Sequence, residues 1–256
     1  MFEPILPDPW SRLRRYTAAR IALGRAGGSQ PTRDQLAFAL DHALARDAVR
    51  APFDSGALAA ELRVHGLDVL TLASSAPDRA TFLQRPDLGR RLSPESSSRL
   101  SALGSQLLPP DLALIVSDGL SALAAQRQVP PLLAALIPLL RAAEFTLAPL
   151  CVVRHARVAL MDEIGALLGA RLALILLGER PGLGTADSLG AYLEFAPRPV
   201  RTNADRNCVS NIRPAGLPPA AAAGRLAALL VAARDQQRSG IALQIPGEPE
   251  AQNLPG

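Results

Sequence analysis

Three short apolar runs constrain the fold of this chain more than any other feature: Leu112–Val116 ("LALIV"), Leu150–Arg154 ("LCVVR") and Leu172–Leu177 ("LALILL"). None alternates apolar with polar residues. Such runs mark strands buried on both faces, the environment of a parallel sheet covered by helices. Leu67–Leu72 and Tyr192–Phe195 read as further strands. Segments with helix signals surround them. Trp10–Leu23 is expected as a helix, followed by Thr32–Val49 with Thr32 as N-cap and Leu36, Ala39, Leu40, Ala43 and Leu44 on one face. A shorter helix is expected near Gly56–His65, and Ser93-Pro94-Glu95 opens another with a cap, a proline and an acid. Pro130–Phe145 (kinked at Pro138), Asp162–Leu168 and Pro218–Arg238 (ended by Gly240) complete the set. The expected architecture is α/β, with a mostly parallel sheet carrying helices on both faces. A helical region (1–65) precedes the sheet domain (66–240), and a loose tail (241–256) follows it.

Composition removes several function classes. The chain of 256 residues is 48% hydrophobic and 20% charged, which are globular values. The longest uninterrupted apolar stretch, Pro130–Leu140, is too short to span a bilayer, so no membrane contact is expected. The opening "MFEPILPDPW" has neither a basic n-region nor an apolar h-region, which points to a bacterial cytosol or a body enclosed within it. All 27 basic side chains are arginine. The chain therefore supplies no Schiff-base lysine and no phosphate-loop lysine. A net charge of +4 with scattered arginines and 4% aromatics does not make a nucleic-acid surface. Cys151 and Cys208 lie far apart, and His42, His65 and His155 are dispersed, so no zinc spacing exists and both cysteines are expected as free thiols.

Open α/β sheets bind ligands at the carboxyl ends of their strands. Three loops occupy such positions: Ser117–Ser121 ("SDGLS"), Arg154–Val158 ("RHARV") and Gly178–Gly184 ("GERPGLG"). A fourth polar segment, Asn203–Asn211, reads as a loop dense in hydrogen-bonding groups. The glycines Gly178, Gly182 and Gly184 are spaced as GxxxGxG, which is neither a Walker A loop nor the dinucleotide fingerprint. On spacing alone they fit a connecting loop that needs positive φ. Ser117, Asp118 and His155 form a serine–aspartate–histidine set only by selection, and Ser117 is not in a GxSxG elbow. The turn Arg85–Arg91 is either a solvated loop or an arginine fork for an anion or partner chain. Cys208 is either a small buried hydrophobe or a site residue.

The segments "RPDLGRR", "VSDGLS", "DEIGALLGA", "LLGERPGLG", "SL-AY", "ADR-C-SNI" and "GLPPAAA" follow one another between about Arg14 and Gly240. In that order and spacing they resemble the small subunit, or light chain, of ethanolamine ammonia-lyase. The resemblance implies a Rossmann-like domain that binds adenosylcobalamin at an interface with a large TIM-barrel subunit. The assembly it implies converts ethanolamine to acetaldehyde and ammonia by a radical mechanism. The family's cobalamin contacts fall on Val158, Glu179 and Cys208, with no catalytic residue and no metal ligand on this chain. Arg157, Arg180 and Asp205 are expected to add polar contacts to the cofactor tail or to the large subunit. The glycines around Glu179 are expected to let backbone approach the corrin edge. No DxHxxG motif is present, so the cofactor is expected base-on. The family's longer amino-terminal extension directs some members to the ethanolamine-utilisation microcompartment, and this chain has only a short segment before Trp10. A stand-alone nucleotide-dependent oxidoreductase is the alternative, disfavoured by the missing GxGxxG.

Overall fold

A computed structural model describes residues 6–64, 66–199 and 201–244. Six strands form one sheet: β1 (Val69–Ala73), β2 (Leu112–Ser117), β3 (Leu150–Arg154), β4 (Leu172–Gly178), β5 (Leu189–Phe195) and β6 (Arg206–Ile212). Their spatial order is β1-β3-β2-β4-β5-β6. The first four neighbours pair in parallel, and β5 and β6 add antiparallel to one edge. The apolar runs explain this order. β2 and β4 are buried at every position, so only the doubly covered centre of a sheet can hold them.

Helices cover both faces. Leu112, Leu114, Val116, Leu172, Leu174 and Leu176 point to one face, against α2 (Ser55–Arg63), α5 (Ala122–Ala142) and α7 (Pro219–Gln236). Ala113, Ile115, Cys151, Val153, Ala173 and Ile175 point to the other, against α4 (Pro94–Gly104) and α6 (Leu160–Leu167). Two further helices, α1 (Thr32–Arg50) and α3 (Arg79–Gln84), flank this core. Side-chain caps set several helix starts: Asp54 accepts from Ala57 N, Asp78 from Thr81 N, Ser93 from Ser96 N and Ser121 from Ala124 N.

Several expectations are corrected. Trp10–Leu23 forms only a 3₁₀ turn at Ser11–Arg15. Leu13 and Tyr16 are exposed, and the Thr17 hydroxyl accepts from Ala19 N, so a local turn competes with a helix that has nothing to pack on. Thr32 is the first residue of α1 rather than its cap, and Leu36, Leu40 and Leu44 of the expected apolar stripe lie on the surface. Helix α5 begins at Ala122, eight residues before the expected start at Pro130, and carries Pro130, Pro131 and Pro138 inside it. Each proline removes a helix donor, but Val129, Leu132, Leu133, Leu136, Ile137 and Leu140 are buried and hold the helix across them. By length and composition α5 could cross a membrane. Here it is a core helix lying on the sheet.

Asn203–Asn211 is mostly strand rather than loop. Val209 and Ile212 anchor β6 in the core and Arg206 turns inward onto buried carboxylates, while Ser210 and Asn211 are exposed. Helix α7 ends at Gln237 in the left-handed conformation, and Gly240 serves the next turn instead. A Cβ at Gly240 would lie 1.9 Å from Ala204 O. His65 and most of the expected tail, 245–256, lie outside the described residues.

Candidate functional site

The three loops singled out in the sequence converge. Gly119 and Leu120 after β2, Ala156, Arg157 and Val158 after β3, and Leu177 to Arg180 at the end of β4 line one cleft, with Tyr192 of β5 as its side wall. Its volume is about 390 Å³. The lining is mainly apolar, with charged groups at Arg157, Glu179 and Arg180.

Asp118 builds this cleft without lining it. Its carboxylate is buried and accepts four hydrogen bonds: from Arg79 Nη1 at 2.8 Å, Ser117 Oγ at 3.0 Å, His155 N at 2.7 Å and His155 Nδ1 at 3.1 Å. Ser117 Oγ also accepts from Ala156 N at 3.0 Å. The loops after β2 and β3 are thereby locked together, and His155 is held at φ 61°. Serine, aspartate and histidine do meet, but both Ser117 and His155 bond to Asp118 and no nucleophile–base bond joins them. This is a structural hub and not a hydrolytic triad. Arg79 Nη1 also donates to Gly119 O at 2.6 Å. Phe82, fully buried, stacks on His155 and lies beneath the guanidiniums of Arg79 and Arg157, 5.2 and 4.4 Å from its ring.

Gly178, the first of the glycines beside Glu179, is needed by the protein's own packing. A Cβ at Gly178 would lie 2.0 Å from Ser121 O and 2.5 Å from Asp118 O. Gly119, at φ +50°, would meet Gly178 O at 2.5 Å. Leu120 N donates to Gly178 O at 2.8 Å across this contact. Gly178→Ala should therefore force the two loops apart and cost about 1–3 kcal/mol. A lowered urea midpoint with an unchanged slope is the expected reading, and an unchanged midpoint would contradict it.

Glu179 stands at the exit of β4. Its Oε2 accepts from Ser188 Oγ in a short bond and from Asn211 N at 3.3 Å, which leaves Oε1 without a partner among the described residues. Cys208 sits directly across from Tyr192 in the β5–β6 register and is exposed, not the small buried hydrophobe that is one of its two expected readings. Desolvation, followed by the nearby Glu179, raises the Cys208 pKa, with Tyr192 opposing. Burial, then Cys208 and Glu179, raise the Tyr192 pKa. At neutral pH both groups are therefore uncharged, and Cys208 is a neutral contact rather than a thiolate. Cys151, the other free cysteine, is buried in the core and pushed up to about 12 by burial.

Val158 and Glu179 thus share the cleft, and Cys208 does not line it but lies beside its Tyr192 wall on the neighbouring strand. Arg157 and Arg180 also line it. Asp205 does not: it closes a capping box with Thr202 and pairs with Arg201 at 3.3 Å. Arg85 closes its fork on Asp87 within its own turn, at 3.0 and 2.7 Å. Tyr192, which lines the cleft, and Ser188 and the Asp118 hub, which hold its residues, are the parts of the candidate site that spacing did not reveal. Tyr192 and Ser188 both lie in the "SL-AY" segment, which was the available signal.

Four parallel strands, crossover helices on both faces and a cleft at the carboxyl ends of β2, β3 and β4 define a Rossmann-like α/β domain. The family model of the ethanolamine ammonia-lyase light chain matches residues 7–244. The chain belongs to the ethanolamine ammonia-lyase light-chain family. It is 53% identical to the ethanolamine ammonia-lyase small subunit of Azotobacter vinelandii over 247 residues, covering 96% of this chain and 92% of the relative. The small subunit of Ralstonia nicotianae is 51% identical over 245 residues (95% and 91% covered), and that of Pseudomonas paraeruginosa 50% over 265 (100% and 95%).

Proposed function

We propose that this chain is the small subunit of an adenosylcobalamin-dependent ethanolamine ammonia-lyase and that its cleft forms one wall of the cofactor site. The observation that carries this reading is the assembly of Val158 and Glu179 in one cleft, with Cys208 paired to its Tyr192 wall across the β5–β6 register. The donor set suits a corrinoid, a flat apolar ring edged with carboxamides. Val158 and Leu177 offer apolar surface, and the free Oε1 of Glu179 accepts from an amide or ribose hydroxyl. Neutral Cys208 and Tyr192 add a polarizable and a hydroxyl contact without unpaired charge.

A cleft of about 390 Å³ holds a fragment of ordinary ligand size, far less than a whole corrinoid. The remainder must be closed by another surface, and the relatives' designation as small subunits supports a large subunit in that role, the TIM-barrel chain of the family. When bound, the cofactor supplies the radical chemistry that deaminates ethanolamine to acetaldehyde and ammonia. This chain binds, orients and shields, and the ethanolamine contacts belong to the partner.

Co-expression with the large subunit and assay of ethanolamine deamination with added adenosylcobalamin tests the reading. Activity is expected only from the two chains together. Val158→Glu, which places a charge in the apolar wall, should raise the cofactor concentration needed for half-maximal activity by about tenfold or more, with kcat at saturation little changed. Activity of either chain alone, or a Val158→Glu enzyme with unaltered cofactor dependence, would overturn it.

A further inference from the structure

The lip of the cleft carries more positive charge than the protein compensates. Arg157 and Arg180 line it on either side of the β3 and β4 exits. Arg157 stacks on Phe82 and donates Nη2 to Phe82 O at 3.3 Å, while its Nε is buried with no partner. Arg90 is tied to the same place, because Arg157 N donates to Gly89 O at 2.7 Å. A Cβ at Gly89 would meet Phe82 Cε2 at 2.8 Å and Arg157 Cγ at 2.9 Å, so this turn is pressed onto Arg157. Arg90 and Arg180 form no ion pair among the described residues. The nearest buried carboxylate, Asp118, is spent on Arg79 and His155. Burial, followed by repulsion from Arg79, Arg180 and Arg90, lowers the Arg157 pKa. A cluster of mutually repelling guanidiniums at a ligand cleft is stabilised by an anion with several acceptor oxygens, and guanidinium geometry matches phosphate.

We propose that Arg157 and Arg180, with Arg90 behind them, form a phosphate subsite that receives the phosphodiester of the corrinoid's nucleotide tail. The inference rests on the cleft being the corrinoid site, and it assigns the polarity of binding: corrin edge at Val158 and Glu179, tail at the arginines. The phosphodiester is the anionic group of cobalamin, and cobinamide lacks it together with the base. This difference isolates the subsite. The complex of this chain with its large subunit is titrated with hydroxocobalamin and with cobinamide, each followed by its visible spectrum. Arg180→Gln is the principal variant, since Arg180 makes no hydrogen bond to the protein among the described residues and its loss should leave folding intact. Arg157→Gln is the second.

Either substitution is expected to weaken hydroxocobalamin about tenfold and to leave cobinamide affinity unchanged. Inorganic phosphate should compete with hydroxocobalamin in the wild-type complex and not with cobinamide. The subsite is overturned, with the cleft assignment intact, if both arginine variants weaken the two corrinoids alike, or neither, while Glu179→Ala weakens both. If Glu179→Ala also changes neither affinity, the corrinoid reading itself fails and the subsite with it. Competition by phosphate without discrimination between the corrinoids would show an anion site unrelated to the tail, which also refutes the proposal.

Discussion

Replacing Asp118 by alanine is expected to cost about 3–5 kcal/mol of folding stability, because it removes the one carboxylate paired with the half-buried guanidinium of Arg79. The side chain is 1% exposed and answers four donors, one on Arg79 of α3, one on Ser117 at the end of β2 and two on His155 after β3. Without it, Arg79 loses its ion pair, and His155 is no longer held in its left-handed conformation. Ser117 loses one of its two partners. The loops after β2 and β3 would then be free to separate, so the damage should reach the ligand site as well as the fold. Urea unfolding followed by circular dichroism measures the first effect, and corrinoid titration of the assembled complex the second. Asp118→Asn keeps the shape and one acceptor but not the charge, and should fall between wild type and alanine. A loss of stability within about 0.5 kcal/mol for the alanine variant would show that the hub is incidental.

The second large effect concerns the antiparallel edge of the sheet. Arg206 is 5% exposed and bridges two buried carboxylates, donating Nε to Glu194 at 2.8 Å and Nη2 to Asp162 at 2.6 Å. Glu194 is pushed up to about 7, first by burial and then by Asp162, with Arg206 pulling the other way. Asp162 is also raised, chiefly by burial. The folded protein therefore keeps a proton on Glu194 that the unfolded chain releases near 4.5. Such a group contributes stability below its unfolded pKa and loses that contribution as pH rises through the folded value. Thermal stability should thus fall between about pH 5 and about pH 8, and Glu194→Gln should flatten that slope. Arg206→Ala leaves two carboxylates facing each other with only Arg201, 3.5 Å from Glu194, nearby. It should cost about 3–5 kcal/mol at alkaline pH and clearly less in mild acid, where protonation relieves the pair. A cost independent of pH would contradict this account.

Much of the fold was legible because burial on both faces writes itself into sequence as uninterrupted apolar runs. β2, β3 and β4 could be read almost residue for residue, and the loops leaving them identified the cleft. β6 was hidden by its edge position: Val209 and Ile212 are its only buried apolar residues, so its sequence looks like a polar loop. The first two turns of α5 were hidden because Pro130 and Pro131 imitate a helix start, whereas Ser121 provides the cap. The Asp118 hub could not be read at all, since Arg79 and His155 lie 39 and 37 residues away from it and nothing local marks their meeting. The site residues Val158, Glu179 and Cys208 came from resemblance. Spacing by itself left the glycine loop a connection, and Gly178 does serve to let two backbones press together.

The most direct test of the account is a spectrophotometric titration of the two-subunit complex with cobalamin, comparing wild type with Glu179→Ala. Loss of the charged acceptor at the cleft should weaken binding by about tenfold or more without preventing assembly of the complex. An assembled Glu179→Ala complex that binds cobalamin with wild-type affinity would contradict the assignment of this cleft to the cofactor.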